Sequence, residues 1–160
     1  MKKVFFILAT LVVVMLFTSA SSNNGKGGIV GTSAGDFTVS NADGVVSLSQ
    51  FRGNYVLLTL WSSADVVSRL DNINYDRYAS KLANVVPLSV NFDRSSTLFT
   101  ELVAADSLAT SSQYYCERQD RSAFEQKWGV KQQYNTYLIN PSGTVIAVNP
   151  TNQEITRLVK

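Results

Sequence analysis

Asp65, Ser68, Arg69 and Cys116 are of the types and spacing that could do chemistry in this chain. The first three fall in "LTLWSSADVVSRLDN", Leu58 to Asn72, where an apolar run reaches a tryptophan, passes through small polar residues and enters a helical pattern. A carboxylate and a hydroxyl one turn apart would suit acid–base or nucleophilic work. A hydroxyl becomes a nucleophile only beside a base, and the chain contains no histidine. The positive end of a helix also favours an ionised carboxylate, which serves poorly as a general base near neutrality. The plainer reading makes Asp65 a helix N-cap, with Arg69 four residues on as an ion-pair partner.

Cys116, in "SSQYYCERQD", is the single cysteine, so no internal disulfide can form. Free cysteine is among the most buried residue types, and an inert position on a strand is the default reading. The alternative is a lone redox thiol that works with an external thiol, its thiolate favoured by Arg118 and Arg121. Without histidine, zinc sites built on histidine and thiolate are excluded, as are histidine-dependent triads. No loop carries alternating acidic ligands at calcium spacing. Neither a metal nor a cofactor is expected.

These residues must be positioned by a regular frame. Phe37–Val39 and Val45–Leu48 read as two short strands around "NADG", where Asp43 and Gly44 suit a tight turn. "YVLLTLW", Tyr55 to Trp61, is almost wholly apolar and reads as a strand covered on both faces. From about Ala64 to Leu82 a helix is expected, with Val66, Leu70 and Ile73 on one face, then Tyr75, Tyr78 and Leu82 after a shift of register that implies a bend or break. "VVPLSVNF" is a further strand in which Pro87 belongs early or on an edge.

Leu98, Phe99, Leu102 and Val103 give a short amphipathic helix, and a strand is expected near Gln113 to Cys116. Ser122 with Glu125 reads as a capping box opening a helix that reaches Trp128, and Thr151 with Glu154 as a second one. Between them "TYLI", "NPSG" and "TVIAV" form a hairpin. The alternation of strands and helices implies an α/β sandwich, one mixed sheet between helical layers with an N-terminal β-hairpin.

The chain opens "MKKVFFILATLVVVMLFTSASS", with Lys2 and Lys3 ahead of an apolar run from Val4 to Phe17, then Thr18, Ser19 and Ala20. This is the order of a secretory signal peptide, and the run is shorter than the roughly 20 apolar residues of a spanning helix. Residues 1–20 are read as a cleaved leader, 21–30 as a flexible linker, and 31–160 as one domain exported to the periplasm or beyond the cell, with no membrane attachment after cleavage. The glycines of "SSNNGKGG" lack the Ser or Thr after Lys26, and the preceding strand, that a phosphate loop requires. Without the leader the chain carries twelve basic and twelve acidic side chains. Nucleic-acid binding, which rests on surplus cations, is not expected.

Two stretches carry a family likeness. "GDFTVSNADGVVSLSQFRGNYVLLTLWSS" resembles the opening of exported thioredoxin-like proteins of the TlpA/ResA type, related to peroxiredoxins, and "FEQKWGVKQQYNTYLINPSGTVIA" resembles their later Y-x-V-x-x-x-P-T-x-F-L-I-D-x-x-G-x-I segment. The likeness spans roughly Gly31 to Ile155 and implies a thioredoxin-like three-layer sandwich of oxidoreductase ancestry. It places the family tryptophan on Trp61 and the two redox cysteines on Asp65 and Ser68. It also places the proline of the first helix on Ile73, the cis-proline on Tyr134 and the following threonine on Asn135.

The resemblance therefore implies a degenerate active site. Thiol–disulfide exchange needs one sulfur to attack and another to resolve, and neither Asp65 nor Ser68 can do so. A cis bond before a non-proline residue costs about 2.5–4 kcal/mol, so a trans bond is expected before Tyr134. The leading expectation is a binding or scaffold module for a protein or peptide, contacted through a groove of Trp61, Asp65, Ser68, Tyr134 and Asn135. Behind it stand a one-cysteine redox protein working through Cys116 and, further back, a hydrolase-like use of Asp65 and Ser68.

Overall fold

A computed structural model describes residues 29–160. The expected leader and nearly all of the expected linker lie outside the described residues. β1 (Thr38–Asn41) and β2 (Gly44–Ser47) form a hairpin, and a 3-10 turn, Leu48–Phe51, leads to β3 (Tyr55–Trp61). Then follow α1 (Val66–Ala79), β4 (Val85–Asn91), α2 (Ser96–Ala105), β5 (Gln113–Tyr115), α3 (Arg121–Trp128), β6 (Thr136–Ile139), β7 (Val145–Val148) and α4 (Asn152–Leu158). The strands make one mixed sheet in the order β2-β1-β5-β4-β3-β6-β7. β3, β4 and β5 run parallel, and the outer pairs are antiparallel. No described helix is long and apolar enough to cross a membrane.

Successive residues of β3 point to opposite faces, so its unbroken apolar run feeds two cores. Val56, Leu58 and Leu60 pack with Leu88, Val90, Phe92, Phe124 and Trp128 on the face that α3 covers. Leu57 packs on the other face with Ala79, Leu138 and Ile155, and Trp61 with Phe99, Val103 and Leu108 beneath α2. Pro87 lies in the central strand β4, not on an edge. β5 pairs with β4 only from Ser89 onward, so at Pro87 the strand has a partner on the β3 side alone and no ladder bond is lost.

Two expectations about helices need correction. α1 runs without a break to Ala79 and turns Ser68, Asn72, Asp76 and Ala79 inward, leaving Val66 and Leu70 68% and 55% exposed. The buried polar face is accepted because the sheet beneath it is polar. Asn72 Nδ2 donates to Gln113 Oε1 (3.0 Å), Gln113 Nε2 donates to Asp76 Oδ1 (3.2 Å), and Ser112 Oγ also donates to that carboxylate. Ser122 is not a cap: α3 starts at Arg121 after Asp120, without a side-chain capping bond. The Thr151–Glu154 capping box does open α4, with Glu154 N donating to Thr151 Oγ1 (3.2 Å) and Thr151 N to Glu154 Oε2 (2.8 Å).

Candidate functional site

β3 ends at Trp61, and α1 begins at Val66 after four intervening residues. The turn between them is fastened from below by the carboxylate of Asp93, just past β4. Asp93 Oδ1 accepts from Ser62 Oγ (2.6 Å) and Ser63 N (2.8 Å), and Oδ2 accepts from Asn91 Nδ2 (3.1 Å). A buried carboxylate is tolerated when it is hydrogen-bonded in this way. The Asp93 main-chain carbonyl is held in turn by Arg121 Nη2 and by Tyr115 OH (3.0 Å), while Arg121 Nη1 donates to Phe92 O (2.9 Å).

Asp65 is the N-cap of α1: its Oδ1 accepts from Ser68 N at 2.9 Å. Ser68 is buried, and its hydroxyl accepts from Ser62 N (3.2 Å) and donates to Asp65 O (3.0 Å). Both side chains are thus occupied in closing the first turn of the helix. No base faces Ser68 Oγ, and the hydrolase-like reading has no geometry to stand on. Arg69 does not pair with Asp65. It reaches α2 instead, where it holds Asp106 through Nε (2.9 Å) and Nη2 (2.7 Å).

The expected groove is only partly assembled. Trp61 is 0% exposed and packs against Phe99, so it cannot touch a partner. As the last residue of β3 it points into the core beneath α2. Tyr134 is half-buried over Phe92, with ring centroids 5.9 Å apart, and burial pushes its hydroxyl above the usual tyrosine range. With Asp65, Phe92, Arg121, Val130 and Gln133 it lines a cleft of about 330 Å³. There is no cis peptide bond among the described residues, so the bond before Tyr134 is trans. Asn135 sits at the same end, its Oδ1 accepting from Asn149 Nδ2 (2.8 Å) and its carbonyl accepting from Leu60 N (3.1 Å).

Cys116 does not open on this cleft. It is 1% exposed, buried with Leu60, Phe92 and Phe124, and burial pushes its thiol up to about 12. Arg121 acts in the opposite direction on that thiol but is outweighed. A sealed and protonated sulfur is a poor nucleophile, whereas the reading of Cys116 as a reactive thiol needs an accessible one.

The arrangement of sheet and helices recurs among solved structures. The chain is similar to the thioredoxin domain of a thiol-disulfide oxidoreductase from Bacteroides vulgatus, with a TM-score of 0.75 and 18% identity over 82% of this chain and 98% of that one. The chain has the thioredoxin-like fold. A thiol:disulfide interchange protein from a Bacteroides species superposes with a TM-score of 0.73 at 18% identity, covering 81% of this chain and 90% of that one. A thioredoxin-like protein from Parabacteroides distasonis reaches 28% identity over 66% of this chain and 79% of its own, with a TM-score of 0.62. No protein-family model and no curated protein matches the sequence.

Within the thioredoxin-like frame, α1 starts where β3 delivers it, and the apolar residues of that start face solvent. Val66 and Val67 are each 68% exposed, and Leu98, in the first turn of α2, is 39% exposed. α1 and α2 follow the neighbouring parallel strands β3 and β4, so both first turns stand at the same edge of the sheet. Sequence reading set Val66 and Leu70 with Ile73 on one face of α1 and did not find that the first two look to solvent. The signal was present in the polar residues at every fourth position, Ser68, Asn72 and Asp76, which form the opposite stripe.

Proposed function

We propose that this thioredoxin-like chain is an exported binding module that derives from a thiol-disulfide oxidoreductase and does not catalyse dithiol exchange. One observation carries the reading: Ser68 and one carboxylate oxygen of Asp65 are engaged in closing the first turn of α1, while Val66, Val67 and Leu70 are turned outward. Exchange would need two sulfurs at that place, and the chain's single sulfur nucleophile is buried elsewhere. Exposed apolar side chains gathered at one edge and bordered by polar groups are the usual mark of a protein-binding surface. Lys2 and Lys3, the apolar run to Phe17 and the small residues to Ala20 support export.

The test is the reduction of insulin by dithiothreitol in the presence of the purified protein. The rate is expected to stay at the uncatalysed background and to be unchanged in Cys116→Ala. Turnover above background rejects the proposal.

A further inference from the structure

We propose, resting on the binding reading above, that the partner presents a cationic amphipathic helix to the outward side of α1 rather than an extended strand to the segment before β6. The main chain of that segment is largely closed. Gln133 N donates to Gly129 O (3.3 Å), and Gln133 O accepts from Asn135 Nδ2 (3.4 Å). Asn135 O accepts from Leu60 N (3.1 Å), and Thr136 N donates to Asn149 Oδ1 (2.8 Å). An added strand pairs with alternate residues, and with Gln133 and Asn135 occupied only Tyr134 is left between them.

α1 offers the complementary mode. Val66 and Leu70 are one turn apart on its outward side, with Val67 beside them, and all three belong to a helix of 14 residues fixed to the sheet. Such a row of side chains receives the ridge of a crossing helix. The cations on the flanking elements are mostly engaged, Arg94, exposed just ahead of α2, aside. Arg69 and Arg77 are drawn to Asp106, Lys131 is paired with Glu125, and Arg121 is turned to main-chain carbonyls. Asp65 and Asp71 remain at the border, and Asp71 is held above the ordinary carboxylate range, first by partial burial and then by the charge of Asp65. A cation between them relieves that repulsion. A second copy packed about a two-fold axis would set these acids against their own counterparts, which disfavours self-association as the use of this face.

The test titrates isotope-labelled protein with three synthetic probes: an amphipathic helix of Leu and Lys, the same helix with Glu for Lys, and an extended peptide of alternating Val and Lys. The Leu/Lys helix is expected to shift the amide signals of Val66, Val67, Leu70 and Leu98. The Leu/Glu helix, and the Leu/Lys helix against Leu70→Lys, are each expected to bind about tenfold or more weakly, a difference of about 1.4 kcal/mol. Asp71→Asn should reduce the salt dependence of binding without lowering the melting temperature.

Equal binding of the acidic helix, preference for the extended probe with shifts centred on Gln133 to Asn135, or no binding of any probe overturns the proposal. The insulin assay separates this failure from that of the broader reading. Turnover defeats the non-catalytic module whichever probe binds, whereas absent turnover with no helix binding defeats only the mode of docking.

Discussion

Arg69 on α1 grips Asp106 at the end of α2 in a two-pronged pair, Nε to Oδ2 at 2.9 Å and Nη2 to Oδ1 at 2.7 Å. Arg77, two turns further along α1, donates to the Asp106 main-chain carbonyl at 3.1 Å. The two helices whose first turns carry the exposed apolar residues are therefore tied to each other as well as to the sheet. Bidentate charge-assisted pairs are stronger than single ones, and the Asp106 side chain is only 12% exposed. Asp106→Ala is expected to cost about 1–2 kcal/mol in urea unfolding, discounted for the partly exposed guanidinium. The same loss from Arg69→Ala and no further loss in the double variant would identify the pair as the cause.

Cys116 yields a pH prediction. Its thiol has an ordinary value of 9.0 and is pushed up to about 12 in the fold. Between these values the folded chain holds a proton that the unfolded chain has released, so stability falls as pH rises through that window. Burial pushes Tyr75 from 10.0 to about 12, which adds a loss of the same sign at higher pH. Unfolding midpoints taken at pH 8, 9 and 10 should decline, less steeply in Cys116→Ala. A thiol reagent should label Cys116 at neutral pH only after denaturant unfolds the chain; rapid labelling of the native protein would contradict the burial.

The polar layer beneath α1 should be costly to breach. Gln113→Leu strips Asn72 Nδ2 of its acceptor and Asp76 of a donor, leaving buried groups unmatched at about 1–3 kcal/mol. Ser122→Ala, at an exposed position on α3, should leave stability nearly unchanged. Equal urea midpoints for the two variants would show that the layer contributes little.

Gly143 closes the turn between β6 and β7 at φ +83°, and a Cβ there would lie 1.1 Å from Arg52 Nη1. Gly143→Ala is expected to destabilise by about 1–2 kcal/mol from backbone conformation alone. Adding Arg52→Ala should remove the collision but not the conformational cost. Thermal melts of the single and double variants would separate the two contributions.

What the sequence disclosed and what it hid divide along physical lines. β3 was legible because seven consecutive residues, all strand formers or apolar, suit a position buried on both faces. The first hairpin was legible because Asn41 Oδ1 accepts from Asp43 N (2.9 Å) and Gly44 N (3.2 Å), a local turn written in adjacent residues. The cap at Asp65 and the capping box at Thr151 were legible for the same reason. The orientation of α1 was not. Its buried side depends on Ser112 and Gln113, 36 to 41 positions along the chain, and no local pattern announces a polar sheet surface. The partner of Arg69 lies 37 residues away, which an argument from helical spacing alone could not reach. Trp61 was misplaced because its pairing partner and family position fix its address in the sheet but not which way it points.

The ladder of Ser68, Asn72 and Asp76 also limits what α1 can do when no partner is bound. A helix seated on oily contacts can roll about its axis and tuck an apolar edge away, since such contacts have no preferred direction. Here any roll would strand amides and a carboxylate without mates, so Val66 and Leu70 have no retreat. The sticky side stays on display, and the docking proposed above would need no prior rearrangement of α1.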